Sequence, residues 1–534
     1  MTKDYEQPDE LDQQQRQQQQ STLPLVYLPI ELAEEISSYF DKQAATKLLR
    51  VSRSFHNLFF PRVWVNMRTF IDIKGDEVKR QMLLEKYGHF VRIIDFNNYT
   101  IHRITFDWLP FVKYATYLKA SADNGTTTGN AEMLMKLINQ SKMLRTLNLS
   151  FEKYDTHVKF DELAAAINGL ELLEGITCEF TTDYGPRGGG DEWKQAAGFI
   201  DLLHPSKRSN LQLKMYFNTA LNEVDVRALA QYIVKLKAHG RFTCTADLAH
   251  EFFGVTDNDG QQLVFPQLKE LEILSCCFNR ENSGIKNITA SQLPQLQSLR
   301  FNIYSCDLLG HVDPSIRKHK TYNWKPEYSR YAHVIIPSQR WQYLTVLTIG
   351  IVSSSILMNI IDLNPLLQQL RVGSVTSTVP IKNDASRYNH DEFQLDAILD
   401  RLPHLVMFWI GQLNSRIIVD PAATPTKRRY DMKIRISCQI SVTPSATVYL
   451  MQIPRLAELV FNECVFVDTD ETIQLLQSST AMCEARRLNW NPIEWNQDLA
   501  LAIAEKMPRR NQFISLRCPM EFRAIIWSEC RLGH

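Results

Sequence analysis

The chain has 534 residues, 44% of them hydrophobic, and 59 Lys+Arg against 59 Asp+Glu, for a formal net charge of +0. That length exceeds one compact core and predicts several domains or one elongated array. Zero net charge argues against a general binder of nucleic acid or anionic membrane, which needs positive charge to draw phosphates.

No run of about 18 apolar residues occurs, so no transmembrane helix is expected. The N-terminal MTKDYEQPDELDQQQRQQQQ lacks the apolar core of a secretion signal. Ten cysteines without a C-x-x-C pair read as reduced, mostly buried thiols of a cytoplasmic or nuclear protein. Residues 1–22 are Gln-rich and bury too little apolar surface to offset their ordering entropy, which predicts a disordered tail.

The composition changes at Leu23, and residues 28–64 carry apolar side chains at helical spacing. Pro29 suits a first helical turn, followed by Leu32, Ile36, Tyr39 and Phe40. Asp41 is a candidate cap for a second helix with Ala44, Ala45, Leu48 and Leu49. Ser52 can cap a third, with Phe55, Leu58 and Phe59, which Pro61 is expected to end. Such short helices pack only a small core, so their remaining apolar surface is expected to be hidden against something else. Residues 71–90 read as a linker helix.

From residue 91 to the end, helical stretches alternate with short strands reading L-x-x-L-x-L-x-x-(N/C or apolar). The clearest copies are Leu268-x-x-Leu271-x-Ile273-x-x-Cys276 and Leu456-x-x-Leu459-x-Phe461-x-x-Cys464. Partial copies begin at Val91, Leu144, Leu296, Leu344, Leu367 and Leu405, and weaker ones centre near 177, 212, 243, 435, 489 and 515. Strand centres from 148 to 515 recur at a median of 29 residues, and leucine-rich repeats run about 20–29 residues, each with a strand and a helix. Alternate strand residues point into a shared core that no single repeat can close, so neighbours must stack. Helices are expected over 161–173, 225–237 and 470–477. The expected fold class is therefore α/β, a leucine-rich-repeat solenoid (horseshoe), with insertions near 184–191, 307–341 and 380–392.

The N-terminal module is similar to the F-box. The positions that carry the resemblance are Leu28-Pro29-x-Glu31, Leu32, Ile36, Phe40, Leu48-Leu49, Val51-Ser52-Arg53, Phe55 and Trp64. Gln43-Ala44-Ala45 departs from the family, which often has Asp-Leu and bulkier apolar residues there. An F-box over 23–70 followed by leucine-rich repeats over 91–534 resembles the F-box/leucine-rich-repeat class of substrate receptors. The resemblance implies docking to a Skp-family adaptor and through it to a cullin of a ubiquitin ligase, with the repeats holding a protein target. The implied adaptor face comprises Leu28, Pro29, Ile30, Leu32, Ile36, Phe40, Leu48, Leu49, Val51 and Phe55. Phe60 and Trp64 are expected to fasten the module to the following chain. The alternative for residues 28–64 is a plain helical cap on the first repeat, in a protein-interaction scaffold with no ligase role.

The long insertion carries Tyr322, Trp324, Tyr328, Arg330 and Tyr331, residue types enriched at binding hot spots. They are the candidate target-binding residues, and the alternative is a loop that buries its own tryptophan. No G-x-x-x-x-G-K-[ST], G-x-G-x-x-G, H-E-x-x-H or G-x-S-x-G motif occurs. Neither catalysis nor a cofactor or metal is expected, and no nucleic-acid or membrane partner.

Overall fold

The computed structural model of the protein describes residues 42–51, 53–72, 77–96, 107–122, 129–152, 159–181, 191–217, 223–240, 252–275, 288–303, 339–376, 391–411, 415–437, 440–479, 483, 485–494, 496–506 and 513–516. The predicted tail and the first predicted helix lie outside these residues. The chain forms two compact units: Met1–Glu179 with Phe199–Leu211, and Phe180–Gly198 with Gln212–His534. No described helix is long and apolar enough to cross a membrane.

In the first unit, helices α1 (Lys42–Leu48), α2 (Arg53–Val63), α3 (Arg68–Ile71) and α4 (Glu77–Tyr87) precede the strands β1 (Ile93–Phe96), β2 (Tyr117–Ala122), β3 (Thr146–Glu152) and β4 (Gly175–Thr181). The strands lie side by side in chain order, and β1, β2 and β3 pair in parallel. Parallel neighbours need a crossover, and α5 (Gly129–Gln140) and α6 (Phe160–Asn168) supply two of them. Register sets Ile94, Leu118 and Leu147 in one lateral row, all fully buried.

Two expectations change here. The helix expected over 161–173 stops at Asn168, and Leu170 is buried in the turn beyond it. Helix α2 runs through Pro61 to Val63. In the last turn the proline removes one backbone donor only, and the Trp64 amide donates to the Pro61 carbonyl at 3.1 Å, tightening the end. Strand β2 is an addition to the strands expected from the sequence. Its repeat is Ala115-x-x-Leu118-x-Ala120, with all three residues buried. Two alanines stand where Leu144-x-x-Leu147-x-Leu149 has leucines, so the inward geometry survives without the leucine signature.

The second unit continues with β5 (Leu211–Phe217), β6 (Ile233–Gly240), β7 (Glu270–Ser275), β8 (Ser298–Ile303), β9 (Val346–Ser353) and β10 (Gln369–Thr376). It adds β11 (Asp391–Gln394), β12 (Met407–Gly411), β13 (Ser415–Ile418), β14 (Met432–Ser437), β15 (Ser441–Val442), β16 (Leu456–Asn462), β17 (Val465–Phe466), β18 (Arg487–Asn491) and β19 (Phe513–Leu516). The main sheet has the order β5-β6-β7-β8-β9-β10-β12-β14-β16-β18-β19. Leu236, Leu271, Leu299, Leu347, Leu370, Phe408, Ile434, Leu459 and Leu488 form one lateral row, none more than 1% exposed. Burying such a side chain is worth about 1.5–3 kcal/mol, and each repeat lies laterally against its neighbours, so stacking holds the array together.

The helix expected over 225–237 is corrected. Helix α7 (Glu223–Leu229) is short, and Ile233 and Leu236 belong to β6. Their spacing of three fits a helical face, but Lys235 and Lys237 alternate with Leu236 and both neighbouring strands pair with this segment, so period two prevails. The strand expected near 243 lies outside the described residues.

A second parallel sheet, β11-β13-β15-β17, is a further addition. Phe393, Ile417 and Val442 point into the core from it. Glu392, expected in the 380–392 insertion, lies in β11. At the end of β15, the Thr443 hydroxyl donates to the Ile417 carbonyl at 2.9 Å and accepts from the Ala446 amide at 3.3 Å. Pro444 stands at the first helical position, and this cap starts Pro444–Met451. Cys464, the ninth position of its repeat, is fully buried, and its thiol donates to the Ile436 carbonyl of the preceding repeat at 3.2 Å. Glu463 just before it takes a left-handed φ of 56°, turning the chain from β16 into β17.

Candidate docking surfaces

Of the implied adaptor face, Leu28, Pro29, Ile30, Leu32, Ile36 and Phe40 lie outside the described residues, and so does the side chain of Phe55, whose backbone is in α2. Leu48 and Leu49 close α1 half-buried, and Val51 in the turn after them is 63% exposed. Ala45 and Phe59 are buried, one in α1 and the other in α2.

Phe60 and Trp64 attach α2 to the α3–α4 segment. Trp64 lies 4.9 Å from Tyr87 and 4.9 Å from Phe70, centroid to centroid. Phe60 meets Tyr87 at 5.1 Å and Phe90 at 6.1 Å, both edge to face. The backbone after Trp64 then joins β1: the Val65 carbonyl accepts from the Arg92 and Ile93 amides, and the Met67 amide donates to the Ile93 carbonyl at 2.9 Å. The module is thus held by aromatic contacts and by ladder-like hydrogen bonds.

The candidate target-binding residues Tyr322, Trp324, Tyr328, Arg330 and Tyr331 lie outside the described residues. The insertion leaves from β8 and returns to the adjacent strand β9. Its return is fixed. Trp341, expected within the insertion, is a buried repeat residue whose amide donates to Asn364 Oδ1 at 3.0 Å. The Asn364 amide nitrogen donates in turn to the Ile360 carbonyl at 2.9 Å.

The face of the main sheet opposite the leucine row is polar, and its charge is uneven. On β6 and β7, Lys235 lies 2.8 Å from Glu270 and Lys237 lies 3.6 Å from Glu272. On β14, β16 and β18 several cations share one carboxylate. Glu458 is approached by Lys433 at 3.9 Å, Arg435 at 3.6 Å and Arg487 at 4.0 Å. At the strand starts, Asp431 is shared by Arg455 at 3.6 Å and Arg486 at 3.0 Å. Five cationic side chains therefore stand against two carboxylates. Glu458 is nearly buried while its three partners are about half exposed.

Trp409 sits beside this cluster, in lateral register with Arg371 on one side and Arg435 on the other. Its indole lies over Gly411, where an added Cβ would come within 2.5 Å of Trp409 Cζ2. Only glycine at 411 lets the ring lie along the strand. Arg371 Nη2 comes within 3.5 Å of Met407 Sδ. None of these residues is among those expected from the sequence to bind. The available signal is Lys433-Ile-Arg435-Ile and Met407-Phe-Trp409-Ile, where every second residue faces away from the core.

Behind the sheet, Arg428 is a buried strut. It donates to the Leu399 carbonyl at 2.8 Å and the Leu402 carbonyl at 3.2 Å, closing the helix Leu395–Arg401. Burial lowers its pKa. Burial, with Asp400 assisting, pushes the neighbouring Tyr449 phenol up to about 12, against the opposing pull of Arg428.

No protein-family model matches the chain, and no curated protein matches it. Among solved structures it is similar to a chain of the crystal structure of the yeast Rad7 and Elc1 complex, at 14% identity, over 73% of this chain and 77% of that one, with a TM-score of 0.29. It is also similar to a chain of the mouse RP105/MD-1 complex, at 12% identity, over 80% of this chain and 67% of that one, with a TM-score of 0.31. The repeat architecture rests on this chain's own strand spacing and parallel topology.

Proposed function

We propose that the chain is the target-recognition subunit of a cullin–RING ubiquitin ligase of the Skp–cullin–F-box type. Residues 28–64 dock the Skp-type adaptor, and the repeat array binds the target protein, in the cytoplasm or nucleus. The observation that carries the reading is the ordered F-box pattern from Leu28 to Trp64. The geometry of its described part supports it: Phe60 and Trp64 are engaged with Tyr87 and Phe90, while Val51 is exposed.

In this reading the chain performs no bond chemistry. It holds a target lysine near a ubiquitin-charged enzyme, which converts a bimolecular encounter into a local one. Co-expression of the full chain with a Skp-type adaptor tests the reading. Co-elution of the two on size exclusion is expected. Separate elution at micromolar concentration would leave a repeat scaffold without a ligase role.

A further inference from the structure

We propose that the open face of β10–β18 binds a carboxylate-rich, extended segment of the target protein, with Trp409 seating one of its apolar or aromatic side chains. This deepens the receptor reading by naming the chemistry of the target, and it rests on that reading only for the fate of the target once bound.

Three observations carry the proposal. The charge excess is local: Lys235 and Lys237 each have a glutamate of their own within 3.6 Å, whereas among the described residues Lys433, Arg435 and Arg487 share the one carboxylate of Glu458. All three cations lie 3.6 Å or more from its carboxylate, so each keeps donors free for an incoming anion. The charges are also spread out. Arg371 on β10, Lys433 and Arg435 on β14, and Arg487 on β18 occupy every second strand of the sheet. Strands are about 4.8 Å apart, so this row spans about 19 Å, which an extended peptide of about six residues covers. The reach from Arg371 to Arg487 exceeds what one phosphoryl group spans and suits several carboxylates along an extended chain instead. Trp409 adds a flat apolar surface inside the row, held down over Gly411. Arg and Trp together are the residue types that dominate binding energy at protein interfaces. The chain's net charge of +0 gives no long-range field for nucleic acid, whose affinity comes from many phosphate contacts.

The test uses the full chain, with and without the adaptor, and a displayed library of random nine-residue peptides. Selection on the wild-type protein is expected to enrich Asp and Glu, with one aromatic or large apolar residue among them. The charge-reversed variant Lys433→Glu/Arg487→Glu is expected to switch the enrichment towards Lys and Arg. An enriched peptide, labelled and titrated by fluorescence anisotropy, should bind Trp409→Ala about tenfold more weakly than wild type, a loss in the range of an interface hot spot. Both variants should keep wild-type adaptor co-elution, which separates failure of this surface from failure of adaptor docking. Absence of acidic enrichment, or the same enriched set on the charge-reversed variant, would overturn the proposal. Tighter binding of a nine-nucleotide oligouridine than of the best peptide would overturn it in favour of RNA.

Discussion

The indole of Trp64 stacks on the phenol of Tyr87, with centroids 4.9 Å apart and planes 19° from parallel. The pair ties the last residue of the F-box-like pattern to the helix α4 that leads into β1. Trp64 also meets Phe70 and Phe60, so its removal empties the centre of an aromatic cluster. Trp64 is half-buried, so Trp64→Ala is expected to destabilise the first unit by about 2–3 kcal/mol, below the usual cost of truncating a fully buried aromatic. Trp64→Phe should recover most of the loss. Urea unfolding followed by far-UV circular dichroism reads both, and a loss under about 1 kcal/mol for the alanine variant would contradict the anchoring role.

Cys178, Cys464 and Cys483 are free and buried. Burial pushes the Cys178 thiol up, away from the reactive thiolate. Alkylation of the native protein with iodoacetamide at pH 8, mapped by mass spectrometry, should leave these three unmodified. All three should react once the protein is unfolded in guanidinium. Rapid labelling of any of them in the native state would contradict the core placement.

The phenol of Tyr449 titrates higher folded than its ordinary value of 10.0, at about 12. A raised folded pKa means that the native state holds the proton more tightly than the unfolded chain does. The stabilisation is therefore complete below pH 10 and is lost as the pH rises through about 12. Tyr449→Phe removes the titrating group, so its urea midpoint should fall less than that of wild type between pH 10 and 12. Parallel curves for the two proteins over that window would show that burial of this phenol is not coupled to folding.

The insertion between β8 and β9 supplies a separate prediction. Trp341 and Asn364 fix its return to the core, so excising residues 311–333 should leave the fold intact. If Tyr322, Trp324, Tyr328, Arg330 and Tyr331 contribute to target capture, the deletion loses the main partner in a crosslinked pull-down. Full retention of that partner by the deletion variant rules the loop out and leaves the open sheet face to carry recognition.

The repeat is legible in the sequence wherever leucine fills the inward positions, as at Leu268-x-x-Leu271-x-Ile273, because burial there demands a large apolar side chain at fixed spacing. It is hidden at β2, where Ala115 and Ala120 satisfy the same geometry with little hydrophobic signal. At β6, the spacing of Ile233 and Leu236 fits a helical face, and only pairing with β5 and β7, with a register shift after Ile233, makes the segment a strand. Strands as short as Ser441–Val442 and Val465–Phe466 carry no periodicity to read. The anchoring of Phe60 and Trp64 can be foreseen, since aromatic residues at the end of a small module need a partner. The cationic face cannot. Lys433, Arg435 and Arg487 each look like ordinary solvated strand residues, and their excess over Glu458 emerges only when lateral register sets them side by side.

Adaptor docking through the N-terminal module is the claim on which the functional account turns. Its most direct test is the affinity of the full chain for a purified Skp-type adaptor, measured by isothermal titration calorimetry for wild type and for Pro29→Ala/Leu32→Asp. The account predicts a saturable complex for wild type and a loss of at least about a hundredfold in affinity for the variant, about 2.7 kcal/mol, with its urea midpoint unchanged. Equal affinity of the two proteins, or no heat of binding for either, would contradict it.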